Sequence, residues 1–281
     1  MPPVLNETSE FRRIAVFGGI YSNYLALEAA LRDVKKRGVD ACFCLGDLGA
    51  FGPHPDRVVS LLDEANVQCI QGNYDHSIGN ELADCQCGYT DPRDNYFARL
   101  SYDYTLNNTS SENRRWLKGL PSQKRLQLGH YRLLLCHGSP RRTNEFLWES
   151  TTSTHFLNYL LGTYDADVVL ATHTGIKWHR RGGKFETCPT AEGVSRDCHF
   201  VNVGVLGRPE NDGRTNVWYT LLEANPDLTV TFVPVEYDHH RLASDMREEG
   251  LPEEFIATIL TGWWTTCLEI LPAKERRRGK Y

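Results

Sequence analysis

Four polar residues stand at comparable places along the chain: Asp47, Asn73, His137 and His173. Each closely follows a short apolar run, at Ala41 to Leu45, Val67 to Gln71, Tyr131 to Cys136 and Val168 to Ala171. Runs of that length read as buried strands. In open α/β sheets, ligands gather outside the carboxyl ends of the strands. One carboxylate, one amide and two imidazoles delivered to such an edge make a nitrogen and oxygen donor set, which suits a divalent transition ion such as Mn, Fe or Zn. Gly46, Gly72 and Gly138 adjoin three of the four and allow sharp turns with close backbone approach. Alone, a Gly-Asp or Gly-Asn after a strand is ordinary turn chemistry, and a lone histidine is more often a satisfied, partly buried side chain. Their joint occurrence, in order and each on a strand end, carries the metal reading.

The elements that must position these residues alternate. Arg13 to Phe17 reads as a strand running into Gly18-Gly19. Leu25, Leu27, Ala30, Leu31 and Val34 have helical spacing, with Gly38 as the stop. A second helix spans Pro55 to Ala65. The β-α-β-α-β order predicts a layered α/β sheet with right-handed crossovers. Residues 94–120 read as helical, with Ser110-Ser111-Glu112 as a start and Pro121 as a stop. A hairpin follows through Gly129-His130, then a helix from Thr154 to Leu161. Later strands are expected at Phe200 to Val203, Thr215 to Leu222 and Leu228 to Val235. The division is one domain over residues 12–235 and a helical tail over 236–281. In the tail, Phe255, Ile256, Ile259 and Leu260 share a helical face, and Trp263 and Trp264 precede a basic end. The tail reads as a cover packed on the sheet, or as a lid or a contact for a second copy, since tryptophan favours interfaces.

Composition narrows the partners. The 281 residues carry 31 Lys and Arg against 36 Asp and Glu, a net charge of −5. That leaves no basic footprint for nucleic acid. No stretch has the roughly 18 apolar residues of a membrane span. Met1 to Phe11 is polar and lacks the apolar core of a secretory signal, so a cytoplasmic location is expected. The nine cysteines are then expected to be mostly thiols. Cys85-Gln86-Cys87 looks too closely spaced for a disulfide, and no second pair stands at metal spacing.

At five points the chain resembles the calcineurin-like metallophosphoesterase superfamily, and within it the small bacterial-type phosphodiesterases. That family runs Asp-x-His, Gly-Asp, Gly-Asn-x-Asp, a strand-end His and Gly-His-x-His. The matching stretches are Phe17-Gly-Gly-Ile-Tyr-Ser-Asn23, Leu45-Gly-Asp47, Gly72-Asn-Tyr-Asp75, Cys136-His-Gly-Ser-Pro140 and Ala171-Thr-His-Thr-Gly175. Phe200-Val-Asn-Val-Gly204 is a further likeness. The resemblance implies a four-layer α/β/β/α sandwich and a dinuclear metal site. One metal's set is intact as Asp47, Asn73, His137 and His173. The other keeps Asp47, but its aspartate falls at Gly19 and its two histidines at Tyr21 and Gly175. Three ligands of one metal are replaced together while all four of the other stay, which is selective retention.

The resemblance therefore implies a metal-dependent phosphoesterase acting on a small phosphorylated molecule with one metal per chain. The alternative is a non-catalytic member that binds a phosphate-bearing ligand or a partner protein through the old site. The family's imidazole after the asparagine is Tyr74 here. Tyr74, Asp75 and His76 are the candidates for catalysis, with Tyr74 or His76 protonating the leaving oxygen. Asn23, Lys177, His179 and Arg208 are candidates for holding substrate, with Arg180 beside them. On this pattern, Gly19→Asp, Tyr21→His and Gly175→His together would rebuild the second position.

Overall fold

The computed structural model describes residues 4–182, 188–189 and 195–277. Two sheets stack face to face. The five-stranded sheet has the order Leu228–Val235, Val217–Ala224, Arg13–Phe17, Ala41–Cys44, Gln68–Cys69. The six-stranded sheet runs Val4–Phe11, Gln123–Leu128, Tyr131–Leu135, Val168–Ala171, His199–Asn202, Trp178–Arg181. The strands that precede the four polar residues run parallel to each other within each sheet, Ala41–Cys44 with Gln68–Cys69 and Tyr131–Leu135 with Val168–Ala171.

Side-chain alternation explains the four layers. Ile14, Val16 and Phe43 point one way and join Leu133, Leu135, Val168, Leu170 and Val201 in the core between the sheets. Ala15, Phe17 and Cys44 point the other way, onto helices Tyr24–Arg37 and Pro55–Glu64 through Leu27, Ala30, Val58 and Leu62. Leu134, Cys136, Val169 and Ala171 face helix Thr154–Thr163 across the second sheet. Helix Tyr24–Arg37 begins because Asn23 accepts a hydrogen bond from the Ala26 amide. It ends at Gly38, which is left-handed at φ 62°.

Several elements were not read from the sequence, three of which bear on the site or the sheets. Val4–Phe11 pairs in parallel with Gln123–Leu128 at the sheet edge, Asn73–Gly79 is a short helix, and Trp178–Arg181 is a strand. The helical stretch after Asp94 is two helices, Pro92–Asn107 and Ser111–Gly119. The tail forms helices His239–Glu248 and Glu253–Thr261, whose Leu242, Met246, Phe255, Ile256 and Ile259 belong to the same core as Phe17 and Leu27. Arg278 and Lys280 of the basic end lie outside the described residues. Among the described residues no helix is long and apolar enough to cross a membrane.

Candidate metal centre

The two sheets share the site equally. The five-stranded sheet supplies Asp47, after Ala41–Cys44, and Asn73, after Gln68–Cys69. The six-stranded sheet supplies His137, after Tyr131–Leu135, and His173, after Val168–Ala171. Ligand atoms of Asp47, His137 and His173 all lie within 4.8 Å of one another, and all three residues are buried. Asp47 and His173 sit in the left-handed region at φ 57° and 62°. Non-glycine residues are uncommon there, and such departures cluster at ligand clamps. At Gly72, a Cβ would fall 2.3 Å from Asp47 Oδ1 and 2.9 Å from His137 Cε1. Glycine is thus what lets the Asn73 turn close on the Asp47 carboxylate.

Hydrogen bonds orient each donor. His137 Nδ1 lies 2.6 Å from the Leu45 carbonyl, which can only accept. The proton is therefore on Nδ1, and Nε2 faces Asp47 Oδ2 and His173 Nδ1, each at 3.2 Å. A carbonyl fixing one ring nitrogen so that the other can bind metal is the usual support for such histidines. Asn202 donates to the Thr172 carbonyl and the Thr174 hydroxyl, clamping the His173 turn from both sides. Burial pushes His173 down to about 3, with His137 adding to the shift, so its ring is neutral and able to bind metal. Burial alone would raise Asp47, but the charge and hydrogen bond of His137 carry it below the ordinary carboxylate range. Two donors remain without a partner: Asn73 Oδ1 and His173 Nε2 are buried polar atoms with no hydrogen bond. Leaving such atoms unsatisfied costs about 1–3 kcal/mol each. A cation bound by Asp47, His137 and His173 would satisfy His173 Nε2, and Asn73 Oδ1 if it is turned to the same point.

The other candidates are placed differently. Tyr74 is buried, its hydroxyl bonded to Ser101 Oγ at 3.0 Å, and burial raises its pKa well above the phenol range. Asp75 accepts from the Asp47 and Gly72 amides at 2.8 Å through Oδ2 and from the Leu48 amide at 3.0 Å through Oδ1. It ties the Asp47 turn to the Asn73 turn. Asp75→Ala would orphan three buried amides and is expected to lower stability by about 3 kcal/mol or more, measurable by urea unfolding. His76 is exposed, with Nδ1 3.3 Å from Gln71 Oε1. Asn23 spends its amide on the Ala26 amide and the Gly207 carbonyl. Lys177 pairs with Glu210, His179 with His199 at 2.9 Å, and Arg180 with the Thr152 and Glu149 carbonyls.

Tyr21 and Gly175 share a small cavity of about 20 Å³ with His173, Arg208 and the tail residues Trp264, Cys267 and Ile270. Burial first, and then the Asp47 charge, hold the Tyr21 phenol neutral. Arg208 donates to the Thr266 carbonyl and lies 3.8 Å from the Trp264 ring centre. Such a cavity has room for about one water. A larger cleft, about 400 Å³, opens beside Asn73 and His76 and is lined also by Gln86, Arg141 and Arg142. The two arginines were missed in the sequence. Their signal was the Arg-Arg pair four residues after His137, on the loop that leaves the ligand.

Cys85 and Cys87, expected to be thiols, form a disulfide. Gln86 between them is left-handed at φ 53°, and the bend sets their Cα atoms 5.3 Å apart, inside the ordinary range. Cys42, Cys44, Cys69, Cys136 and Cys267 are free thiols, as expected of most.

A layered two-sheet sandwich with a carboxylate and two histidines at the strand ends defines the class, and comparison with known proteins agrees. Residues 13–225 match the calcineurin-like phosphoesterase superfamily domain, and the chain belongs to that family. It is 26% identical over 244 residues to an uncharacterised protein of Methanocaldococcus jannaschii, covering 85% of this chain and 94% of that one. A metallophosphoesterase of Sphaerobacter thermophilus superposes with a TM-score of 0.65 at 26% identity, over 90% of this chain and all of the other. A hypothetical protein of Pyrococcus horikoshii shares the fold with a TM-score of 0.70 at 22% identity, over 90% of this chain and 99% of its own.

Proposed function

We propose that this protein is a phosphoesterase that works with one divalent transition ion, held by Asp47, Asn73, His137 and His173, on a small phosphoester. The observation that carries the reading is the buried cluster of Asp47, His137 and His173, whose ligand atoms lie within 4.8 Å of one another, with His173 Nε2 and the nearby turn's Asn73 Oδ1 left without a hydrogen-bond partner. The other half of the site supports a single ion. Gly19 and Gly175 offer no donor, Tyr21 is held neutral, and Trp264 packs where a Gly175 side chain would go. Bound there, the ion would supply Lewis acidity toward water and a phosphoryl oxygen, without the two-metal clamp.

The chain's own groups do the rest. Arg141 and Arg142 line the cleft beside Asn73, Arg141 paired with Glu145 and Arg142 bonded to Asn144 Oδ1, and are the cations that would meet phosphate charge there. His76 lies at the same cleft and is better placed than the enclosed Tyr74 to give a proton to the leaving oxygen. Arg142→Ala is expected to raise KM by roughly tenfold with a smaller change in kcat, because a rim guanidinium holds substrate charge throughout.

Elemental analysis after reconstitution with Mn, Fe or Zn tests the reading, run beside hydrolysis of a chromogenic monoester and diester. One equivalent of metal with slow, metal-dependent turnover is expected. Two equivalents with brisk diester turnover would overturn the single-ion reading. One equivalent with no turnover on any phosphoester would favour the second reading, a binding protein. The small cavity around Tyr21 and Arg208, partly covered by the tail, supports that alternative because it leaves little room for a substrate at the second position.

A further inference from the structure

The Cys85–Cys87 loop lies against the metal ligands. Asn73 Nδ2 donates to the Cys85 carbonyl at 2.8 Å and to Cys87 Sγ at 3.4 Å. A carbonyl can only accept, so the amide nitrogen of Asn73 must face this loop. Its Oδ1 is then turned the other way, into the buried position where it has no partner. The loop also reaches the His173 side. The Gln86 carbonyl accepts from Asn144 Nδ2 at 2.8 Å, and the Phe146 ring, two residues on, lies 4.4 Å from the His173 ring. The bond that closes this loop therefore holds one metal ligand directly and borders a second.

We propose that Cys85 and Cys87 form a thiol–disulfide exchange site whose oxidised state keeps Asn73 set for metal, so that reduction weakens metal binding. The proposal rests on the metal reading above. A small dithiol is the reductant. Its thiolate attacks one sulfur of the pair, the Cys85–Cys87 bond breaks, and a mixed disulfide forms. The second thiol of the reductant then displaces the protein sulfur, leaving a cyclic disulfide and two protein thiols, each with one proton. Two electrons pass from the dithiol to the protein. Gln86 lines the open cleft, which gives a small reductant an approach to the loop. Once the link is cut, nothing covalent holds Gln86 at φ 53°, a conformation that costs a non-glycine residue about 1 kcal/mol or more. As the loop relaxes, Asn73 loses the acceptors that orient it.

Cys198 is also disulfide-bonded, so disulfide formation is not confined to this loop, but among the described contacts only the Cys85–Cys87 bond touches a candidate ligand. Cys44 and Cys69 are register partners on adjacent strands, yet both stay thiols. A bond that touches Asn73 and borders His173, with Cys44 and Cys69 left as thiols, is placed so that its redox state reaches the candidate ligands.

The test measures Mn²⁺ affinity from the electron paramagnetic resonance signal of free Mn²⁺. It compares oxidised protein with protein reduced by a phosphine and desalted without oxygen. Mass spectrometry after alkylation verifies the state of Cys85 and Cys87. Reduction is expected to raise Kd by about tenfold, the lower end of what losing an outer contact to a metal ligand costs. Cys85→Ser with Cys87→Ser should show the reduced value and no response to phosphine. If that variant does not fold, the two wild-type arms still decide. Equal Kd in both states would overturn the redox link while leaving the metal site intact. Tighter binding on reduction would overturn it too, because a freed thiolate would then be acting as a ligand. No Mn²⁺ binding in either state would remove both the link and the metal reading.

Discussion

His173→Ala is expected to lose its metal, and with it at least about 100-fold in phosphoester turnover, while keeping its fold. Changes that only touch a ligand's hydrogen-bond partner already cost about 10–100-fold in metal affinity or activity, so deleting a donor should cost no less. His173 Nε2 is a buried ligand atom with no hydrogen-bond partner by geometry, so its loss removes a ligand at the expense of the ring's contacts to His137 and the Cys87 backbone. Its ring touches His137 at 3.2 Å and Phe146 at 4.4 Å, and Asn202 holds the backbone of the turn independently. The cost to the metal-free fold should stay near 2 kcal/mol, the low end for truncating a buried side chain. A thermal readout separates the two effects. At about 100 times its Kd, Mn²⁺ should stabilise the wild type by about 2.7 kcal/mol, whereas the variant should show no shift. A variant that retained one equivalent of metal would move the ligand assignment away from His173.

Asp47, Asn73, His137 and His173 were legible because each follows a short apolar run and a strand end leaves few ways for the next side chains to point. What strand ends cannot show is which sheet each belongs to, and the candidate site draws two residues from each sheet. Val4–Phe11 was hidden because VLNETSEF has no apolar alternation, and its partner strand lies more than a hundred residues away. The Asn73–Gly79 helix is too short for a periodic signal, yet it sets Asp75 against three amides. Asp75 illustrates the limit. The motif marks it as important, and only the fold shows that its oxygens are turned to the backbone. The Cys85–Cys87 bond was misread because spacing alone ignores the left-handed bend at Gln86. Asn23, Lys177 and His179 carried the right chemistry for substrate, but their partners come from distant segments that no local pattern reveals.

The strongest consequence of the tail concerns rebuilding the second metal position. Gly19→Asp, Tyr21→His and Gly175→His restore the family pattern, yet with the tail in place they are expected to bind no second ion. A Cβ on Gly175 would stand 3.1 Å from Trp264 Cη2 and 3.3 Å from Cζ2, leaving no path for an imidazole. Gly175 is also at φ 77°, which costs a side chain about 1 kcal/mol or more. The Gly19 position is easier, since its Cβ would meet the Tyr21 ring at 2.6 Å and Tyr21→His removes those atoms. Trp264 will not swing aside readily. Its indole donates to the Pro209 carbonyl at 2.6 Å, its amide to Asn211 Oδ1 at 2.8 Å, and the Arg208 guanidinium stacks on its ring. That guanidinium also places a fixed positive charge in the cavity and repels a second cation. Adding Trp264→Ala should open the position at about 3–5 kcal/mol of stability, the usual cost of emptying a buried tryptophan. In excess Mn²⁺ the fourfold variant should then hold two equivalents and hydrolyse a chromogenic diester faster than the parent, while the threefold variant stays at one. Two equivalents in the threefold variant would show that the tail yields easily and is a lid. A fourfold variant that folds but stays at one equivalent would place the barrier in the Arg208 charge, which the further change Arg208→Ala should then lift.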